Sequence, residues 1–338
     1  MRHLILSLAV IFWPLALSAF EIEERVLFGT QDNAQTVRVI STGDVRVFEP
    51  MINGFLADHP GVSVDYTVVS SSELMKAISQ EKAAFDVAIS SAMDLQTKLA
   101  NDGFTASYTS QATQSLPDWA RWRQDLFAFT QEPAAIVLSK DAFSGLPIPQ
   151  TRQDLIEILR QHPDRFRGKI GTYDLRQSGL GYLFATQDSR TSEVYWRLTE
   201  VMGALDAQLY CCSSDMINDV SSGKLAIAYN VLGVYALSRE DTDRFTVLLP
   251  SDFTTVMMRT ALIPENAQNK ELAEPFIDYL LKVAWTNSGQ QMYDASATLA
   301  EMEDSLRRIR LGPGLLIFLD EYKKKSFLNA WENAILQK

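Results

Sequence analysis

Residues 36–74 read TVRVISTGDVRVFEPMINGFLADHPGVSVDYTVVSSSEL, and the order of patterns within them decides the fold. Val37-Arg38-Val39-Ile40 has strand composition, Val45 to Asp58 carries apolar residues at helical spacing, and Val62 to Val69 returns to strand composition. His59-Pro60-Gly61 stands between helix and second strand, where proline cannot continue the helical hydrogen bonds and glycine suits a turn. Two strands joined by a helix predict a parallel crossover unit. Downstream the alternation continues: a helix over Glu73 to Lys82, a strand over Phe85 to Ile89 and a helix over Met93 to Asn101.

A second α/β unit follows. Lys169 to Tyr173 reads as a strand, the region from Ser178 to Thr186 and Glu193 to Leu205 as helices, and Gln208 to Cys212 as a strand. Ser214 to Ser222 reads as a helix, Leu225 to Val231 as a strand, and Asn269 to Ala284 as a helix. No Pro/Gly/Ser-rich linker separates the units, so the second is entered and left through the folded body. Two long apolar stretches, residues 125–139 and 245–264, serve as the crossings. The expected layout is a discontinuous first lobe, residues 36–130 and 255–338, a second lobe, residues 138–248, and a cleft between them, where ligands bind by default.

The chain has 338 residues, a net charge of −11, 46% hydrophobic and 22% charged residues. That much apolar area excludes wholesale disorder, and the distribution does not fit a polytopic membrane protein. An acidic chain with no long Lys/Arg run argues against a nucleic-acid partner, because phosphate binding needs a concentrated basic face. Met1-Arg2-His3, the apolar run from Leu4 to Leu17 and Ser18-Ala19 read as a secretory signal peptide, residues 1–19, which places the mature protein in a periplasm. The two cysteines, Cys211 and Cys212, are neighbours, and the short spacing of consecutive Cα atoms favours free thiols over a bridge. Two cysteines and the two histidines beyond the signal segment, His59 and His162, are a poor zinc set, so no metal and no cofactor is expected.

The motif that carries chemistry is repeated. Ser41-Thr42-Gly43-Asp44, Ser70-Ser71-Ser72-Glu73 and Ser91-Ala92-Met93-Asp94 each follow a strand and match S-x-x-[DE], a capping-box pattern. In a parallel sheet all three helix starts lie at the carboxyl edge of the strands, where free N–H groups and hydroxyls suit an anion. The second unit offers Asp174-Leu175-Arg176-Gln177-Ser178-Gly179-Leu180-Gly181, whose glycines permit close backbone approach and whose Arg176 either forks onto an acid group of a ligand or pairs with Asp174. Cys212-Ser213-Ser214-Asp215 repeats the Ser-cap theme, and Tyr229-Asn230 ends a strand. Glu132, in the first crossing, either binds a ligand amino or hydroxyl group or pairs with an arginine such as Arg259. No H-E-x-x-H, G-x-S-x-G, P-loop or post-strand G-x-G-x-x-G occurs, and neither histidine offers a triad base, so binding rather than catalysis is expected.

These features resemble bacterial periplasmic solute-binding proteins of ABC transporters, in the type II class of ferric, polyamine and phosphate-ester binders. The resemblance rests on residues 36–74, on FDVAISSAMDLQTKLANDGF at 85–104 and on VSSGKLAIAYNVLGVYA at 220–236, with the phrase F-x-x-x-x-P-G-V-x-V the most specific. It implies a two-lobe fold, a small-molecule ligand held by hinge closure, a monomer, and ABC permease subunits or a membrane sensor kinase as partner. The ferric branch holds iron with adjacent tyrosines just after the strand matching Leu225 to Asn230. Here Val231 and Leu232 stand there, with Tyr229 and Tyr235 flanking the gap, so the residues tilt toward a small organic anion, a phosphate ester or carboxylate. Ferric binding, a sensing adaptor without transport and an enzyme on the same scaffold are the rivals. The expected ligand residues are Ser41, Thr42, Gly43, Ser71, Ser72 and Ser91 from the first lobe, and Arg176, Ser178, Ser213, Tyr229 and Asn230 from the second.

Overall fold

The structure is a computed structural model that describes residues 20–30, 35–285 and 303–337. The expected signal peptide lies outside the described residues. Strands β1 (Glu24–Phe28), β2 (Gln35–Ser41), β3 (Val62–Val68), β4 (Val87–Ser90), β5 (Thr105–Ala106), β6 (Arg121–Trp122) and β7 (Leu126–Ala128) precede β8 (Glu132–Ser139), β9 (Ile170–Tyr173), β10 (Gln208–Tyr210) and β11 (Ile227–Leu232). Then come β12 (Phe245–Leu248), β13 (Thr254–Met257), β14 (Thr260–Pro264) and β15 (Leu306–Arg308). The helices are α1 (Val45–Asp58), α2 (Ser71–Ser79), α3 (Met93–Asn101), α4 (Gln111–Ser115), α5 (Arg152–Gln161), α6 (Pro163–Phe166), α7 (Gly179–Thr191), α8 (Val194–Ala204), α9 (Ser213–Ser221), α10 (Gly233–Leu237), α11 (Lys270–Trp285) and α12 (Glu321–Leu336).

Two sheets form. The first runs β1-β3-β2-β4-β14-β7-β6, with β5 on β14; the second runs β10-β9-β11-β8-β13-β15, with β12 on β8. The α/β two-lobe architecture expected from the sequence is the one observed. Each sheet has a parallel heart, β3/β2/β4 in one and β10/β9/β11 in the other, flanked by antiparallel strands. The parallel hearts decide where a site falls, because every crossover helix there starts at the carboxyl edge of its strand.

Among the described residues the chain passes directly from one sheet to the other through residues 129–131 and residues 258–259. The crossings are tied together: Phe129 N–H donates to the Arg259 carbonyl (3.0 Å), and Arg259 N–H donates to Thr130 Oγ1 (2.8 Å). The carboxyl-terminal part departs from expectation. Residues 306–308, expected in the first lobe, add β15 to the second sheet in parallel with β13, and α12 packs on α8 so closely that a Cβ on Gly203 would collide with the Ala334 and Ile335 backbone. The apolar periodicity of α12 marks a buried face, and Phe327, Trp331 and Ile335 fill it, but periodicity does not say which lobe receives that face.

Candidate functional site

Five helix starts converge between the sheets. The ends of β2, β3 and β4 lead into α1, α2 and α3 from one side, and the ends of β9 and β10 lead into α7 and α9 from the other. Together they line a cavity of about 570 Å³, its opening included, walled by Thr42, Asp44, Ser70, Ser71 and Ser91 opposite Tyr173, Gln177, Ser178, Cys211, Cys212, Ser213 and Ser214. Leu232 and Tyr235 close it behind, and Glu23 lies at its edge among the lining residues. The two sides touch, since a Cβ on Gly179 at the start of α7 would stand 2.7 Å from the Ser71 Cβ at the start of α2.

Of the eleven residues expected to bind, five line this cavity. Thr42, Ser71, Ser91, Ser178 and Ser213 are all on its wall. Thr42 and Ser91 are coupled, with Ser91 N–H donating to Thr42 Oγ1 (3.1 Å) and the hydroxyls 3.3 Å apart. Ser178 caps α7 by accepting from Gly181 N–H (3.1 Å), and Ser213 Oγ lies 2.5 Å from the Tyr173 hydroxyl while accepting from Leu232 N–H (3.1 Å). These hydroxyls are fixed by the fold before any ligand arrives, which is what a preorganised site needs.

The others are placed elsewhere. Ser41 is buried beneath the wall, its oxygen accepting from Tyr66 Oη–H (2.7 Å) and Gly43 N–H (3.0 Å). Gly43 shares that layer, its carbonyl 2.8 Å from the same Tyr66 hydroxyl and competing with Ser41 for its proton. Ser72 is exposed and turned onto Ser70, because one position along a helix rotates a side chain by 100° away from the cavity. Arg176 forks onto Asp174 through Nε (2.8 Å) and Nη2 (2.6 Å) and is 42% exposed, so the ion-pair alternative is the one realised. Tyr229 accepts from Arg152 Nε (2.9 Å) inside the second lobe, and Asn230 donates to Asp188 (2.7 Å). A register shift in β11 between Ala228 and Val231, with Asn230 at φ +59°, turns both away from the edge.

The serine cap is realised in one motif of the three, and without the reciprocal bond of a capping box, because Glu73 Oε2 accepts instead from Glu21 N–H (2.8 Å). Ser70 accepts from Glu73 N–H (3.2 Å) at the start of α2. At α1 the cap position falls on Asp44 and at α3 on Ala92, neither with a side-chain cap bond. Asp44 is thereby freed to face the cavity, where burial raises its carboxyl above the usual range against the opposing pull of Arg259, Arg46 and the Ser214 hydroxyl of the other lobe. Burial, with Asp44 and Asp215 nearby, raises Glu23 in the same direction. Neither acid is among the expected ligand residues, and the sequence offers Asp44 only as the acidic partner of a capping motif. Cys211 and Cys212, expected as free thiols, are joined as a disulfide between neighbours on the cavity wall, their Cα atoms 3.8 Å apart.

The arrangement offers hydroxyls and helix N-termini from both lobes, with two carboxylates at one side. Residues 41–286 match the model of the bacterial extracellular solute-binding protein family. The chain belongs to that family. It is similar to the substrate binding protein of an ABC transporter from Agrobacterium tumefaciens, with 32% identity over 92% of this chain and 98% of that one and a TM-score of 0.85. It shares its fold with the periplasmic binding protein AfuA from Actinobacillus pleuropneumoniae, solved with fructose-6-phosphate bound (16% identity, 89% and 99% covered, TM-score 0.71). It also shares it with iron-bound HitA from Pseudomonas aeruginosa (15% identity, 89% and 99% covered, TM-score 0.62). No curated protein matches the chain. The family is one of ligand capture for ABC transporters. Among the described residues no helix is long and apolar enough to cross a membrane.

Proposed function

We propose that this solute-binding protein captures a small organic anion, a phosphate ester or carboxylate, in the periplasm by lobe closure and delivers it to ABC permease subunits. The observation that carries the reading is the meeting of five helix N-termini, each of nine or more residues, on one cavity shared by both lobes. Each helix start presents unpaired N–H groups and a partial positive charge, so their joint focus favours negative charge on the ligand. Asp44 and Glu23 on the same wall accept hydrogen bonds, which suits an anion that also carries hydroxyl groups, with the acid group toward the helix starts and the hydroxyls toward the carboxylates. The ferric alternative is weakened by the donor set. The two phenols on the cavity, Tyr173 and Tyr235, are not adjacent in the chain and are already engaged, Tyr173 with Ser213 Oγ (2.5 Å) and Tyr235 with the cationic Arg259 Nη2 (3.3 Å), a poor setting for a hard cation.

The test is thermal unfolding of the mature protein against organic phosphates, di- and tricarboxylates, amino compounds, neutral sugars and ferric salts. A ligand at about 100 times its Kd adds roughly 2.7 kcal/mol to stability. A raised midpoint confined to one anionic class is the expected result; a rise with ferric salt alone, or with neutral sugars as much as with their phosphates, rejects the anion reading.

A further inference from the structure

Arg259 sits on the second crossing, fully buried. Its Nε donates to Glu132 Oε1 (2.7 Å), and its Nη2 to Glu132 Oε2 (3.2 Å) and the Tyr235 hydroxyl (3.3 Å). Thr130 Oγ1–H donates to the same Glu132 carboxylate (2.9 Å) and holds it in place. Nη1 is different: it is buried and has no hydrogen-bond partner among the described residues. Charged donors in a protein interior are almost always paired, so one left open asks for an acceptor that the chain itself does not provide.

The position of Nη1 says where that acceptor belongs. A Cβ built on Gly43 would stand 2.2 Å from the buried Phe48 ring and 2.9 Å from Nη1, so the guanidinium lies with Phe48 beneath the one residue of the Thr42–Asp44 turn that has no side chain, one layer behind the cavity wall. Thr42 and Asp44, on either side of Gly43, line the cavity, and Tyr235, which receives Nη2, lines it from the other lobe. Glu132 occupies the Nε and Nη2 edge, so the ion pair is an oriented dipole whose positive end is Nη1. Its charge is felt by Asp44 and by Tyr173, which face each other across the cavity.

We infer that Arg259 is the residue that selects an anionic ligand, its Nη1 donating past Gly43 to the ligand's acid group while Glu132 holds the other edge of the guanidinium. The inference rests on the anion reading of the cavity and deepens it. The role expected of Arg176, whose fork is closed on Asp174, passes to an arginine that both crossings position and that no helix-start pattern marks.

Calorimetric titration with inorganic phosphate of the wild type, Arg259→Lys and Glu132→Gln tests this. Lysine keeps the charge and loses the fork, so Arg259→Lys weakens phosphate binding at least tenfold. Glu132→Gln removes the counter-charge behind the fork and binds phosphate at least as tightly as the wild type. A merely structural role predicts otherwise, that both variants lose affinity alike; that result, or a folded Arg259→Lys variant within twofold of the wild type, overturns the inference. If either variant does not fold, the arginine side-chain ¹⁵N spectrum of the wild type decides: the Arg259 Nη1 resonance shifts when phosphate saturates the protein, and an unmoved resonance at saturation overturns the inference. A wild type that takes up no phosphate at millimolar concentration removes the anion reading itself and this inference with it.

Discussion

Gly179 shows how much one missing side chain sets. It begins α7 and touches Ser71 and Leu95 of the first lobe, so Gly179→Val inserts atoms where a Cβ already stands 2.7 Å from the Ser71 Cβ. The expected outcome is a protein that unfolds at nearly the wild-type midpoint and binds its ligand at least tenfold more weakly, because the lobes are wedged apart; titration beside thermal unfolding checks it. The glycines after Arg176 were legible as points of close approach. The fork of Arg176 was legible only as a pair of alternatives, since Asp174 two residues away competes with any ligand. The Cys211–Cys212 bond ran against the spacing argument from sequence. Iodoacetamide should add no mass to the native protein and two adducts after reduction, as read by mass spectrometry; two adducts before reduction would restore the free thiols.

At the scale of elements, caps and buried pairs separate what positions the site from what only decorates the surface. Ser70→Ala removes the one realised cap among the three S-x-x-[DE] turns and should cost about 1 kcal/mol in urea unfolding. Arg152 of α5 is fully buried between Tyr229, the Phe253 carbonyl (2.6 Å) and Asp252 (3.2 Å), while Asp188 of α7 holds Asn230 and Thr255 (2.6 Å). Asp188 Oδ2 also lies 3.7 Å from Arg152 Nη2, so Asp188→Ala leaves Arg152 and Asn230 without that acid and should cost about 3 to 5 kcal/mol. Arg167→Ala, at the exposed pair with Asp206, should cost under about 1 kcal/mol. This network also explains the misplacement of Tyr229 and Asn230. A strand end next to a helix reads as a ligand edge, but the register shift that turns these side chains into the second lobe has no signal in a single sequence. The strands and helices of the two parallel hearts were legible because period and punctuation are local, with α1 and α3 found at their observed limits, whereas β1 and α5 drew no expectation.

For the whole molecule, the two-lobe α/β plan followed from alternation, whereas the return of β15 and α12 to the second lobe depended on long-range packing that no local pattern carries. One consequence of that return is measurable. Asp94, fully buried near the start of α3, has its carboxyl pushed up to about 7 by burial, eased by the Leu95 N–H and by Lys324 of α12. The folded protein therefore holds this proton more tightly than the unfolded chain does. Its contribution is fullest below the unfolded value near 4, is lost as pH rises toward 7, and is flat above; the slope is at most about 1.4 kcal/mol per pH unit. Urea unfolding across that range should show Asp94→Asn gaining on the wild type as pH rises, then holding a constant lead. A difference independent of pH would mean that Asp94 is already ionised in the fold.

Closure over an anion is the centre of this account. Calorimetric titration of the wild-type protein with a sugar phosphate and, in parallel, with the same sugar lacking its phosphate tests it most directly. The helix starts of both lobes, with Arg259 behind them, predict saturable one-to-one binding of the phosphorylated sugar and none of the neutral one at the same concentrations. Equal binding of the two, or heat with ferric salt alone, would contradict an anion site between the lobes.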